Sequence, residues 1–186
     1  MQLTNITTSI VEPVTLSDAK QHLQVSGADD DAYILARIKQ ARQVAENYTG
    51  RVIAKQQFRA VFDAFPGVIE LPRVELISVD LFQYVDTAGA TQTQAAYATR
   101  KDSMSARIIP PYSESWPSVE PGYNKVTVEF TAGYENEAAP SDIQAAILLI
   151  VGELYMNRED SIVGVSVSAT SLPSKSLLNP YRLHAL

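Results

Sequence analysis

Apolar positions recur along this chain with two different periods, and the change of period divides it. Ile34, Ile38, Ala41, Ala45 and Tyr48 follow one another at spacings of four, three, four and three, with Leu35 and Val44 widening the stripe. That spacing sets them on one face of an amphipathic helix over residues 32–48. Asp29, Asp30 and Asp31 stand before it and Thr49-Gly50 after it. Acids favour a helix start through the macrodipole, and Gly supplies the left-handed stop. A shorter helix is predicted upstream. Thr15-Leu16-Ser17-Asp18 resembles a capping box with Asp in place of Glu, and the helix runs through Leu23 to a stop near Val25-Ser26-Gly27. A third begins at Pro140-Ser141-Asp142-Ile143-Gln144, where Ser141 and Gln144 have capping-box spacing. From Ala145 to Leu154 it is apolar on nearly every face, which predicts the central buried helix, ending near Asn157.

Between the second and third helices the period falls to two. Phe58, Ala60 and Phe62 alternate with Arg59, Val61 and Asp63, and Val126, Val128 and Phe130 alternate with Thr127, Glu129 and Thr131. Each reads as a strand with one buried face. Val68–Leu71 and Ser78–Val85 read as further strands, separated by the turns Phe65-Pro66-Gly67 and Asp86-Thr87-Ala88-Gly89. Ala95–Thr99 and Ala106–Ile109 are shorter candidates. Residues 110–123 contain Pro110, Pro111, Pro117 and Pro121 and read as an irregular loop, pinned to the body by Trp116. Residues 1–14 read as extended. Ser161–Ser176 is small, polar and β-branched with no helical stripe, and reads as mobile.

The fold class expected is therefore α+β: a small helical body of three main helices with a β-rich insertion, about 53–131, between helix two and helix three. One domain is expected over 1–160, followed by a flexible arm over 161–186 with an apolar end. Ile147, Ile150 and Leu154 are expected to pack on Ile34, Ile38 and Ala41. Leu177, Leu178, Tyr181 and Leu183 would form an exposed apolar cluster if left in water. They are expected to dock outside their own domain, the alternative being a fold back onto the third helix.

The chain has 186 residues and a formal charge of −6, unevenly spread. Residues 1–31 carry −4, residues 32–59 carry +5 and the remainder −7. Arg37, Lys39 and Arg42 lie in the basic stretch. They are candidates for a complementary contact with acidic residues of a neighbouring copy, against the plainer reading of a solvated helix face. An acidic chain does not fit non-specific nucleic-acid binding. Cys is absent, which excludes thiol nucleophiles, Fe–S clusters and Cys-type zinc sites. His22 and His184 are 162 residues apart and cannot supply a multi-His metal site. The first residues lack the basic and apolar segments of a secretory signal, and the apolar run 145–151 falls far short of the ~20 residues a membrane span needs. A soluble intracellular protein is expected.

Catalytic signals are thin. No nucleophile-elbow, P-loop or dinucleotide-binding motif occurs. His22 and His184 have no triad partners in view and read as surface residues. Glu135 and Glu137 form a loop pair without the unlike environments that acid–base catalysis requires. The three consecutive Asp lack the spacing of a calcium loop. No catalytic, cofactor or metal residues are assigned and no cofactor is expected.

Six segments, in order, resemble one family. Glu12-Pro13-Val14-Thr15-Leu16-Ser17-Asp18-Ala19-Lys20 with Leu23 is similar to an opening EPVTLxEAKxHL. Asp30-Asp31 and the helix ending Tyr48-Thr49-Gly50-Arg51 resemble a second helix ending YTGR. Leu71-Pro72-Arg73 with Ser78-Val79 resembles LPRxPLxSV, and Phe130-Thr131-Ala132-Gly133-Tyr134 resembles YTAGY. Asn157-Arg158-Glu159 resembles a closing NRE, and Leu178-Asn179-Pro180-Tyr181-Arg182 a terminal LLxPYR. These are features of the head–tail connector, or adaptor, proteins of tailed phages and prophages. The resemblance implies a structural virion protein, not an enzyme. It implies a homo-oligomeric ring of about a dozen copies at the portal vertex. Such a ring touches the portal protein and a stopper or tail-completion protein, and lets double-stranded DNA pass without sequence-specific binding or a membrane. The location implied is the virion neck, and the host cytoplasm during assembly. Another head-completion part such as a stopper is one alternative. A small hydrolase or sugar-binding domain using Trp116, Tyr123 and the loop acids is the other.

Overall fold

The computed structural model describes residues 1–72, 75–101, 105–135, 138–157 and 172–183. The chain falls into two units. One contains Met1–Ile10 and Lys55–Gly133; the other contains Val11–Ala54 and Tyr134–Leu186.

The first unit is built of strands. β1 (Gln2–Asn5), β2 (Gln56–Phe62), β8 (Val126–Ala132), β4 (Leu76–Val85) and β5 (Thr91–Thr93) form a five-stranded sheet in the order β1-β2-β8-β4-β5, every pair antiparallel. β3 (Ile69–Pro72), β7 (Ser105–Ile109) and β6 (Ala98–Lys101) form a second antiparallel sheet, β3-β7-β6. The period-two pattern of β8 has its expected result. Val126, Val128 and Phe130 are buried, while Thr127 and Glu129 take the other face. One apolar cluster joins these side chains to Ala60 and Phe82 of the large sheet and to Ile69, Leu71 and Ile108 of the small one. Trp116 pins the proline-rich loop as expected. Its ring stacks on Phe65 at 5.0 Å and its indole N–H donates to Gly67 O at 3.2 Å. The turn at Asp86 also forms, with the carboxylate accepting from the Ala88 and Ala90 N–H groups. Two strands depart from expectation. The candidate at 95–99 begins three residues later, as β6, and β5 carried no apolar alternation to reveal it.

The second unit holds the helices: α1 (Leu16–Leu23), α2 (Asp31–Thr49), α3 (Ser141–Met156) and α4 (Leu172–Leu178), followed by a 3-10 turn at Asn179–Tyr181. The Thr15–Asp18 capping box is present in full. α2 ends at Gly50 with φ 73°, a conformation glycine adopts without strain. The capping box expected at α3 does not form. Pro140 takes the cap position, placing Ser141 inside the first turn, and Gln144 turns back to Ala139 O. Ile34, Ile38 and Ala41 share one core with Ile147 and Ile150, as the two stripes require. Leu154 lies at the edge of that core, partly buried. α3 is not enclosed on every side, since Ala145 and Met156 are exposed. Among the described residues, no helix is long and apolar enough to cross a membrane.

The C-terminal segment differs from the expectation of an arm ending in a free apolar cluster. Residues 172–176 are helical, and Leu178 is 0% exposed within the helical core. Of the expected arm over 161–186, residues 161–171 and 184–186 lie outside the described residues.

Candidate functional site

Seven residues were singled out by the sequence, three basic ones on α2 and four apolar ones near the C-terminus. The structure gives them three different environments.

Arg42 is internal. Its side chain is 3% exposed, with Nε 2.7 Å from Glu12 Oε2 and Nη1 2.6 Å from Glu46 Oε2. Glu46 sits one turn along α2, and its second oxygen accepts the N–H groups of Ile53 at 2.9 Å and Ala54 at 3.3 Å. The Tyr134 N–H in turn donates to Ile53 O. The chain enters or leaves the helical unit at Val11, Ala54 and Tyr134. The buried guanidinium and the Glu46 carboxylate thus hold the first two crossings directly, and the third joins them through Ile53. The expectation of an outward-facing Arg42 fails for a physical reason: a desolvated charge needs partners, and two carboxylates of its own chain supply them. The i,i+4 spacing of Arg42 and Glu46 is a visible signal of the pair. The approach of Glu12 is not visible in the sequence.

Arg37 is half-buried. Its guanidinium lies 4.6 Å from the centroid of the Tyr33 ring, and Nη1 donates to Gln40 Oε1 at 2.6 Å. Its Nε is buried and has no hydrogen-bond partner among the described residues. Lys39 is exposed and forms no ion pair or hydrogen bond among them. The run of positive charge read from the sequence is therefore not a continuous surface strip.

The apolar quartet folds back onto its own unit. Leu178 is enclosed, while Leu177, Tyr181 and Leu183 are half-buried. Arg51 Nε donates to Tyr181 O at 2.6 Å, Tyr48 Oη to Asn179 Oδ1 at 2.6 Å, and the Leu183 N–H to Thr49 O at 2.7 Å. The last contact satisfies a carbonyl at the end of α2, where no intrahelical donor remains. A Cβ on Gly50 would lie 3.5 Å from Leu183. Docking outside the domain is corrected accordingly: the segment takes the alternative course, a fold back onto the third helix. α4 packs mainly on α3, and the C-terminal end of α2 supplies the hydrogen-bond partners.

The residues examined for catalysis are engaged in structure or scattered. Asp31 pairs with Lys20 at 2.6 Å, and Asp30 accepts from Tyr155 Oη. His22 lines a surface groove of about 430 Å³ with Val14, Asp18, Gln21, Gln144 and Leu148, but Asp18 is occupied by its capping contacts with Thr15. Glu135 is exposed, while Glu137 and His184 lie outside the described residues. One ring face of Trp116 is covered by Phe65, and Tyr123 is 85% exposed on its loop. No cluster of three or more metal-ligating side chains occurs among the described residues. The Asp86 carboxyl is held below its ordinary value, first by the Gln92 side chain and then by turn amides, so this shift belongs to the turn.

No curated protein matches the chain in sequence. Solved structures do. A chain in the neck of an empty gene transfer agent particle, computed with C6 symmetry, has a TM-score of 0.80 and 23% identity, over 100% of this chain and 97% of that one. A chain in the native particle's neck, computed with C12 symmetry, gives a TM-score of 0.76 at the same identity and coverage. These likenesses establish a shared fold. The model of the phage gp6-like head-tail connector proteins matches residues 13–110, which hold α1, α2 and β2 to β7. That match spans more than half of the chain, and the protein belongs to the phage gp6-like head-tail connector family.

Proposed function

We propose that the protein is a structural, non-enzymatic component of the neck of a phage-like particle. Copies close into a ring at the portal vertex, join the DNA-filled head to the tail and extend the channel through which DNA passes. The ring meets the portal protein on one side and a stopper or tail-completion protein on the other, after folding in the host cytoplasm. The observation that carries this reading is the family match, together with a fold shared end to end with a subunit of a particle neck. The six- and twelvefold symmetries named for those necks support a ring of about a dozen copies. The net charge of −6 suits a channel wall, because each free cation facing DNA would add affinity and slow its passage. Arg37 and Lys39 remain candidates for the contact between copies. Arg42 and Leu178 do not, being enclosed in their own unit.

The test is the mass of the purified protein across a wide concentration range, by sedimentation velocity or mass photometry. A concentration-dependent step from the 20.4 kDa monomer to a closed ring is expected. A monomer at every concentration overturns the reading.

A further inference from the structure

Cationic side chains able to meet a neighbour are scarce. Among the described residues, Lys20, Arg42, Arg59, Arg107 and Lys125 are held in ion pairs, and Arg37 is held over Tyr33. Lys39, Arg100 and Lys175 have no such partner among them. Lys39 differs from the other two in its setting. One turn before it on α2, Leu35 is 49% exposed, flanked by the exposed Ala32 and Ala36. The outer face of α2 thus presents a small apolar strip ending in a free cation.

The strand unit carries a patch of opposite sign. Trp116 fastens the proline-rich loop to the body, and the Glu114 N–H closes a turn on Pro111 O with Ser113 in the left-handed region at φ 65°. That turn raises Tyr112 to 98% exposure. Glu114 beside it is exposed, and its carboxylate has no partner among the described residues. An aromatic ring left in water on an anchored turn is unusual. It is also the feature that binding hot spots are made of, because little is lost in ordering it on contact.

We propose that these patches are the two halves of one contact between copies: Tyr112 of one copy covers Leu35 of a second, and Glu114 pairs with that copy's Lys39. The inference rests on the ring reading and names the surfaces through which the ring closes. A head-to-tail ring needs two different, complementary surfaces on each copy, and these differ in sign while each offers an exposed apolar group. Their spacing also agrees. Leu35 and Lys39 lie ~6 Å apart along the helix axis, and residues 112 and 114 are separated by at most about 7 Å of chain.

A charge exchange tests this on the full chain. Glu114→Lys and Lys39→Glu, made separately, should each raise the concentration for half-assembly about tenfold or more at low salt, with the melting temperature unchanged. The double variant should assemble like the wild type, because every contact then has its signs exchanged. Tyr112→Ala should weaken assembly at all salt concentrations. If the wild type forms rings and the single reversals do so equally well, or if the double variant is no better than the singles, the contact is wrong and the ring stands. If the wild type stays monomeric throughout, the ring reading fails and takes this contact with it.

Discussion

The two units handle charge in opposite ways. In the helical unit, Arg42 is enclosed with Glu12 and Glu46, and the carboxylate of Glu46 also holds two backbone amides. In the strand unit the pairs lie across the sheet surface. Arg59 bonds Glu129 with side chains 50% and 22% exposed, and Arg107 bonds Glu70 with 47% and 63%. The number of ion pairs says little about their consequences. A surface pair exchanges one wet contact for another and contributes little, whereas a buried charge that loses its partners has no water to replace them. The helical unit needs the stronger device. Three passages of the chain enter or leave that unit close to Glu12, Ile53 and Tyr134.

Breaking this contrast should produce its largest effect at Arg42. Arg42→Ala leaves two poorly solvated carboxylates facing each other and should cost about 3–5 kcal/mol in chemical denaturation. A loss below 1 kcal/mol would place Arg42 with the surface pairs. Leu178→Ala comes next. The side chain is 0% exposed, so its removal should cost about 2–5 kcal/mol through lost burial and a residual cavity. An unchanged denaturation midpoint would mean that the C-terminal segment does not belong to the core. Arg59→Ala, on the open face of the sheet, should cost under about 1 kcal/mol, and raising the salt should shrink the difference from wild type.

The smallest effect, and the one that fixes a sign, is at Asp86. Its carboxyl is lowered in the folded state by Gln92 and the turn amides, so folding favours the ionised form. That stabilisation is present above the unfolded-state value and is lost as the pH falls through the lower folded-state value. Asp86→Asn should therefore be slightly less stable than wild type at neutral pH and converge with it in acid. A difference that persists at low pH would assign the effect to turn geometry rather than charge.

Local rules made much of the chain legible. The four-three spacing of Ile34 to Tyr48 gave α2 to within a residue at each end, because a helix repeats within its own segment. Thr15 and Asp18 announced α1 by the hydrogen bonds they exchange. Val126 to Phe130 announced a strand with one buried face, which became the centre of the larger sheet. Local rules failed where the partner was remote. Ser141 and Gln144 had the right spacing, but Pro140 occupied the cap. Leu177 to Leu183 read as an exposed cluster because nothing adjacent in sequence could cover it, while its packing surface lies mainly on α3 and its hydrogen-bond partners at Tyr48 and Arg51, some 130 residues earlier.

The candidate assembly residues divide in the same way. Composition alone set the net charge, the absence of thiol chemistry and the basic bias of residues 32–59. It could not distinguish Arg42 from Lys39, two cations three residues apart on one helix. Tertiary structure made that choice, bringing Glu12 to the buried flank and leaving Lys39 on the open one. The physical reason is that a residue's type fixes which interactions it needs. Whether water or another part of the chain meets that need depends on what lies across from it after folding, and no local pattern records this.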